Sequence, residues 1–318
     1  MSRQRTMCYW VKQYLAHRRA MGFALDISGD LLMDFARFAD RPQHRGPLTT
    51  ELALRWANLP ANASHRYRVQ RLSIVRSFAR YLAGRDERTE VPDRRLLGNA
   101  QLRRQPHIYS DEQLRQLVLA AAQLEPTYAL RPQTYSVLFG LLASSGLRIS
   151  EALELRRDSV DLDRGILQIL QTKFRKSRLV PLHPTTSEVV RGYAQVRDRH
   201  PLANASSAFF IGRYGQALPY STVRHTFRRL CDRLGWRSNG ALPRPRIHDL
   251  RHTFACRRLM TWYEHGIDVN HAITALSTYL GHGKVTDTYW YLTGTAQLLG
   301  IAGARFEQFA NIIEGRRS

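Results

Sequence analysis

The first hundred residues show apolar positions spaced three or four apart, the period of an α-helix. This spacing occurs over residues 8–15, again over 31–38, and most clearly over 64–82, where Val69, Leu72, Val75 and Phe78 fall on one side. The opposite side of this last segment carries five arginines: Arg66, Arg68, Arg71, Arg76 and Arg80. Such a face is either simply solvated or binds nucleic acid. We therefore predict a helical N-terminal domain and treat these arginines as DNA-binding candidates.

A polar, arginine-rich stretch over residues 84–107 interrupts the helical pattern and is bounded by Pro92 and Pro106. We place a domain boundary there, which gives a helical core-DNA-binding domain over 1–103 and a second domain over 104–318. Ser110 followed by Gln113 is typical of a capping box and predicts the start of the next helix.

The second domain mixes helical patterns with one hairpin. Apolar positions at 166–170 and 179–182 flank a polar turn at 172–177, and this arrangement predicts two antiparallel strands. Helices are predicted at 111–123, 132–144, 248–262, 270–279 and 302–314, and another from an N-cap at Ser221 to a stop at Gly235. The predicted fold class is mainly α with a small antiparallel sheet (α+β).

Charge is the most unusual feature of the composition. The 318 residues carry a formal net charge of +22, of which +10 lies in residues 1–103 and +12 in residues 104–318. A surplus in both domains favours a polyanionic partner that touches both. The three cysteines lack metal-binding or disulfide spacing, which favours a reduced, cytoplasmic protein. The longest apolar run, near 137–143, is too short to cross a membrane.

Two short polar segments of the second domain could bind a phosphate. Arg148 lies near a helix start with Glu151 one turn on, where a carboxylate can orient a guanidinium. The predicted hairpin turn holds Lys173 and Lys176, and a turn lysine can bind phosphate or donate a proton. Each segment alone is equally typical of an ordinary charged surface.

A third segment allows two kinds of chemistry. His248, Arg251 and His252 would share one helix face. His-Asp-x-x-His resembles the zinc-binding pair of metalloproteases, with Asp249 in the place of the usual glutamate. A cation on the same face would repel a metal ion, and the sequence offers no clear third ligand, so phosphate binding is the favoured interpretation.

A fourth segment holds His282 and, nine residues later, Tyr291. Tyr289 lies two positions before Tyr291, so on a helix the two rings would point about 200° apart. At most one of the two tyrosines can then face a shared site.

The four segments together resemble the tyrosine recombinases, also called phage-type integrases. The matching text is GLRISEALEL, TKFRKSRLVPL, HDLRHTFA and LGHGKVTDTYWYL, in that order, over most of residues 106–295. By this resemblance Tyr291 is the nucleophile, Arg148 and Arg251 clamp the phosphate beside His248 and His282, and Lys173 is the general acid. The turn lacks the glycines that flank this lysine in relatives, so Lys176 stays an alternative.

The resemblance also implies the partners. It predicts cleavage of double-stranded DNA sites through a 3′-phosphotyrosyl link, as in integration or transposition, with no cofactor and no metal. Glu151 would support the clamp, and Arg175 and Lys176 are further DNA-binding candidates. Four protomers would assemble on DNA in the bacterial cytoplasm, joined through the last helix and with accessory proteins as possible partners. The alternatives are a non-cleaving DNA-binding protein of the same fold and a zinc hydrolase using His248 and His252.

Overall fold

The computed structural model describes residues 6–41, 46–98, 105–126, 130–170, 177–203, 206–238 and 244–291. The chain divides into two compact units, Met1–Arg104 and Gln105–Ser318. The functional roles assigned to the two predicted domains stay a prediction.

The described residues of the first unit form four helices: α1 (Met7–Ala20), α2 (Asp26–Ala39), α3 (Thr50–Asn58) and α4 (His65–Ala83). Their starts follow local capping chemistry, since the side chains of Thr6, Thr49 and Ser64 accept hydrogen bonds from backbone amides in the first turns of α1, α3 and α4. The apolar positions of all four helices meet in one core around Phe35, Trp56 and Phe78. The predicted helix over 64–82 is confirmed.

The polar face of α4 differs from the prediction at one position. Arg71 is only 5% exposed. Its guanidinium stacks 3.6 Å from the ring centroid of Trp56 and donates to the backbone oxygen of the same residue. Arg71 was therefore wrongly assigned to the exposed DNA-binding face, because its long side chain folds back over a core tryptophan. Arg66 and Arg80 are exposed, and Arg68 and Arg76 are half-buried.

The second unit contains the remaining described elements. The helices are α5 (Asp111–Ala122), α6 (Arg131–Ser145), α7 (Ile149–Leu153), α8 (Pro184–Asp198), α9 (Tyr220–Arg233), α10 (Ile247–Glu264), α11 (Val269–Leu280) and α12 (Thr286–Tyr289), and the strands are β1 (Val160–Asp161), β2 (Ile166–Ile169) and β3 (Arg178–Pro181). The strands pair antiparallel in the order β1-β2-β3. The mainly α fold with a small antiparallel sheet is confirmed, and so is the capping box of Ser110 and Gln113.

One predicted boundary in this unit is wrong. Helix α9 begins at Tyr220 after Pro219, so Ser221 lies inside the helix and does not cap it. Gly235 does end the helix, with a φ of 71° that favours glycine. The predicted helix at 302–314 lies outside the described residues.

The buried apolar residues of the second unit form two cores in the part of the chain that the structure describes. The larger one joins α5, α6, α8, α9 and the sheet around Phe139, Phe209 and Phe210. The smaller one joins α10 and α11 and includes Tyr291. The C-terminal ends of α6 and α11 meet at the first half of α10, where Phe254 and Leu280 both lie against Gly146.

Candidate active site

The site is built on sharp chain reversals. Helix α6 ends at Gly146, whose φ of 63° turns the chain, and α7 starts directly after Arg148. Glu151, in the first turn of α7, accepts the backbone N–H of Arg148 at 2.9 Å and its guanidinium at 2.7 Å. The Arg148 side chain is thus held in place by a carboxylate three residues away.

Arg251 occupies the centre of the site. It is 2% exposed, and its guanidinium donates to the backbone oxygens of Gly146 and Leu280, both at 2.7 Å. Arg148 reaches the same Leu280 oxygen at 3.4 Å and the Gly281 oxygen at 2.7 Å. The two predicted clamp arginines therefore converge on the C-terminal end of α11, where backbone oxygens attract cations.

Gly281 ends α11 with a φ of 67° and leads into His282. Nδ1 of His282 lies 2.6 Å from the hydroxyl oxygen of Thr288, which is completely buried. This contact fixes the imidazole against α12, the short helix that leads to Tyr291.

The two tyrosines of this segment have different environments, as their spacing predicted. Tyr289 is 43% exposed, whereas Tyr291 is 3% exposed. The ring of Tyr291 lies nearly parallel to that of His282, with centroids 5.9 Å apart, and edge-on to that of His252 at 5.4 Å. Its phenol oxygen also interacts with Arg251. Tyr291 therefore faces the site and Tyr289 faces away from it.

Burial and neighbouring cations set the protonation of the site. Burial raises the pKa of Tyr291, while the charge and hydrogen bond of Arg251 act against this rise. Burial also lowers the pKa of Arg251 to about 10. The pKa of His282 falls to about 4 through burial and then through the charges of Arg251 and Arg148. The site thus combines two guanidinium ions with an imidazole that is neutral at pH 7.

His248 lies on α10, one turn before Arg251. Desolvation and then the charge of Arg251 lower its pKa to about 4, although part of its side chain is exposed. A neutral, accessible imidazole can accept or donate a hydrogen bond.

The structure reveals one site residue that the sequence reasoning missed. Arg178, the first residue of β3, donates to both carboxylate oxygens of Glu151, at 3.0 and 2.8 Å. Burial alone would raise the pKa of Glu151, but hydrogen bonds from Arg178 and Arg148 outweigh it and lower the pKa to about 2. The sequence did not indicate this pair, because Arg178 follows Glu151 by 27 residues and no helical or strand spacing relates the two.

The structure does not place every predicted residue in this site. Lys173, Arg175 and Lys176 fall in segment 171–176, outside the described ranges. The zinc hypothesis needs His248 and His252 to lie close together, and the centroids of their two rings are 4.6 Å apart. In the described ranges no group of three His, Cys, Asp or Glu side chains is placed to hold a metal ion.

A second basic face was also missed. Helix α9 buries Val223, Phe227 and Leu230 and exposes four basic residues on its other side. They are Arg224, His225, Arg228 and Arg229. The sequence contained the signal, since the basic residues avoid the positions of the apolar stripe. Across the described ranges, no helix is long and apolar enough to span a bilayer.

The model of the phage integrase family matches residues 109–297, more than half of the chain. The chain is 42% identical over 304 residues to y4rB, a Sinorhizobium fredii protein named as an integrase/recombinase, covering 94% of this chain and 96% of that protein. It is 28% identical over 230 residues to the tyrosine recombinase XerC of Chlamydia caviae, covering 72% and 68% of the two chains.

Solved structures show the same fold. The Tn1549 transposon integrase in complex with a circular intermediate DNA matches with a TM-score of 0.69 and 17% identity, over 95% of this chain and 99% of that one. The XerH site-specific recombinase bound to its difH substrate matches with a TM-score of 0.63 and 18% identity, over 87% and 78%. At these identities the likeness concerns the fold.

Proposed function

This chain belongs to the phage integrase family, the tyrosine recombinases that cleave and rejoin DNA, and we propose that it carries out site-specific recombination with Tyr291 as its nucleophile. The observation that supports this most is the meeting of Tyr291, two arginines and two histidines at the end of α11. These residues come from three separate segments of the chain, and their shared position suits a single phosphate.

In the proposed reaction the phenol oxygen of Tyr291 attacks the scissile phosphorus. A bond forms between them, the bond from phosphorus to the 5′ oxygen breaks, and a 3′-phosphotyrosyl link remains. The phenol proton passes to a neutral imidazole, for which His248 and His282 are both available. Lys173 gives a proton to the departing 5′ oxygen, with Lys176 as the alternative donor. A 5′ hydroxyl from another strand reverses these steps without ATP.

Arg148 and Arg251 lower the electrostatic barrier to attack on the phosphate. A phosphodiester carries negative charge that grows on its nonbridging oxygens in the transition state, and fixed guanidinium donors stabilise that charge. Forming phenolate at pH 7 from a tyrosine of pKa near 10 costs roughly 4 kcal/mol, and burial adds to this cost. The cation of Arg251 beside the phenol oxygen offsets part of it.

DNA is the partner that membership of the family implies. We propose that two faces of this chain contact it. Arg66, Arg68, Arg76 and Arg80 supply the first on α4, and the basic side of α9 supplies the second. Arg175 and Lys176 of the hairpin turn add phosphate contacts. Each face places exposed or half-buried basic side chains opposite a buried apolar stripe, as expected for helices that bind DNA from a folded unit.

We further propose that four protomers assemble on two DNA sites. The segment 302–314, with Phe306, Phe309, Ile312 and Ile313, would bind a neighbouring protomer. Integration and transposition of a mobile element are the proposed tasks, in keeping with the names of y4rB and the Tn1549 integrase. Such a task takes place in the bacterial cytoplasm and can involve accessory proteins.

A nicked DNA site that traps the cleaved strand tests the nucleophile. We expect the unaltered protein to form a covalent adduct in the presence of a metal chelator and the Tyr291→Phe variant to form none. Tyr289→Phe, which removes the hydroxyl of the exposed neighbour, should form the adduct normally. An adduct that survives Tyr291→Phe would contradict the assignment, and specific DNA binding without any adduct would favour a non-cleaving protein.

A further inference from the structure

Arg178 lies at the start of β3 and holds two parts of the site at once. Its Nη1 and Nη2 donate to the two oxygens of Glu151, and its Nε donates to the backbone oxygen of Tyr279 at 2.8 Å. The side chain is 11% exposed. All three nitrogens of this guanidinium are bonded, and its side chain is less exposed than that of Arg148, at 27%, so Arg178 is the less open of the two to a ligand.

The charges of this cluster do not cancel. Glu151 contributes one negative charge, with a side chain that is 4% exposed, and it lies between the positive charges of Arg148 and Arg178. The three groups together therefore carry one net positive charge. Without Arg178, the carboxylate would pair with Arg148 alone, and that pair would be neutral. At low dielectric such a change strongly alters the attraction for a phosphate.

Arg178 also supports the turn that carries His282. A Cβ added to Gly281 would lie 2.7 Å from Nη1 of Arg178, so the guanidinium packs directly against the glycine backbone. Two backbone oxygens of this turn are bound as well, since Arg178 donates to the oxygen of Tyr279 and Arg148 donates to that of Gly281. The end of α11 is thus fixed between two arginines.

We propose that Arg178 is a positioning residue for DNA cleavage. By balancing Glu151 it leaves the charge of Arg148 available to the scissile phosphate, and by holding the end of α11 it keeps His282 in place. This inference rests on the proposed function, because it assumes that Arg148 contacts the phosphate.

The test compares two scissile groups, a normal phosphate and a methylphosphonate, which lacks the negative charge that the arginines stabilise. Single-turnover adduct formation is measured for Arg178→Gln and Arg148→Gln. On phosphate we expect both variants to be slower than the unaltered protein by roughly 10²-fold. On methylphosphonate we expect each defect to shrink below about 10-fold, because less charge needs stabilisation.

Arg156→Gln is the matched control, since it also removes one cation but from an ion pair with Asp158 whose side chains are more than half exposed. It should cleave both substrates at the unaltered rate and bind DNA as Arg178→Gln does. A defect of Arg178→Gln that is equal on both substrates would indicate general damage to the fold and overturn the proposal. So would cleavage of phosphate at the unaltered rate.

Arg178→Lys keeps the charge but lacks the planar fork, and it replaces the glutamine variant if that one does not fold. We expect it to cleave phosphate less than about 10-fold more slowly than the unaltered protein. A lysine variant as slow as Arg148→Gln on both substrates would contradict the proposal. Failure of the proposed function looks different, because the unaltered protein would then form no adduct, or Tyr291→Phe would still form one.

Discussion

At the scale of single residues, Arg251 joins three segments through one guanidinium. It belongs to α10 and bonds to backbone oxygens at the ends of α6 and α11. A lysine keeps the charge but cannot hold both oxygens in the same plane. For Arg251→Lys we expect adduct formation to slow by about 10²-fold or more and the free energy of unfolding to fall by roughly 1.5–3 kcal/mol.

Arg258→Lys, a change at an exposed arginine of the same helix, is the control for this prediction. It should leave the single-turnover rate and the urea midpoint unchanged. An Arg251→Lys variant that cleaves at the unaltered rate would mean that the planar fork is not needed at this position.

His282 should make stability depend on pH. Its pKa is about 4 in the folded protein and about 6.5 when unfolded. Between these values the unfolded chain binds a proton that the folded chain does not, so stability is full above pH 6.5 and falls as pH drops towards 4. For this partly buried group we expect a loss on the order of 1–2 kcal/mol between pH 7 and pH 5.

Urea unfolding at both pH values, with His282→Gln beside the unaltered protein, isolates this contribution from that of the other histidines. The variant should lose less stability on acidification than the unaltered protein does. An equal loss in both proteins would show that His282 is not held in its neutral form.

Residue-level prediction from sequence worked where chemistry and spacing coincide. Arg148 and Glu151 lie one helical turn apart, and so do His248 and Arg251. The sequence therefore predicted that the members of each pair lie close together. Arg178 could not be found this way, because its contact with Glu151 depends on how β3 packs beside α7. The burial of Arg71 was equally hidden, since a helical pattern does not show that an arginine can fold back over Trp56.

At the scale of elements, α4 separates two roles among its arginines. Arg71→Ala should lower the free energy of unfolding by roughly 2–3 kcal/mol, because it removes a buried hydrogen bond and a stacking contact with Trp56. Arg66→Ala and Arg80→Ala should leave stability unchanged and weaken DNA binding, each lowering the slope of log affinity against log salt by about 1. Anisotropy titrations at several salt concentrations, with thermal melts, measure both effects. The reverse pattern would mean that Arg71 is the DNA contact.

The hairpin between β2 and β3 allows its two lysines to be distinguished. Lys173→Ala should abolish cleavage of a normal phosphate but cleave a 5′-phosphorothiolate, whose leaving group needs no proton. Lys176→Ala should cleave both substrates and bind DNA more weakly. If instead Lys176→Ala fails on the normal phosphate and is the one variant that the 5′-phosphorothiolate rescues, Lys176 is the general acid.

Element prediction followed the strength of the local pattern. The helices α4, α5, α10 and α11 and the hairpin were predicted because their apolar period is regular. Strand β1 was missed, since two residues are too few for a period, and α8 was missed although Pro184 suits a helix start. The N-cap at Ser221 was wrong because the helix is entered two residues earlier, with Pro219 at the N-cap position.

At the scale of the whole molecule, the account depends on the convergence of distant segments. Residues 148, 251, 282 and 291 meet through the ends of α6, α10 and α11, and the order of motifs along the chain indicated the family but not these contacts. The surplus charge of both units agrees with a DNA partner, since phosphate neutralisation dominates the affinity of such proteins.

The most direct measurement is the identity of the residue joined to DNA. The protein is trapped on a nicked site, digested with trypsin and nuclease, and the linked peptide is sequenced by tandem mass spectrometry. Cleavage after Lys284 and Arg305 gives one peptide with both Tyr289 and Tyr291, and its fragments distinguish them. We predict a nucleotide that is joined through its 3′ phosphate to the phenol oxygen of Tyr291. A nucleotide on Tyr289, or on a residue of any other peptide, would contradict the account.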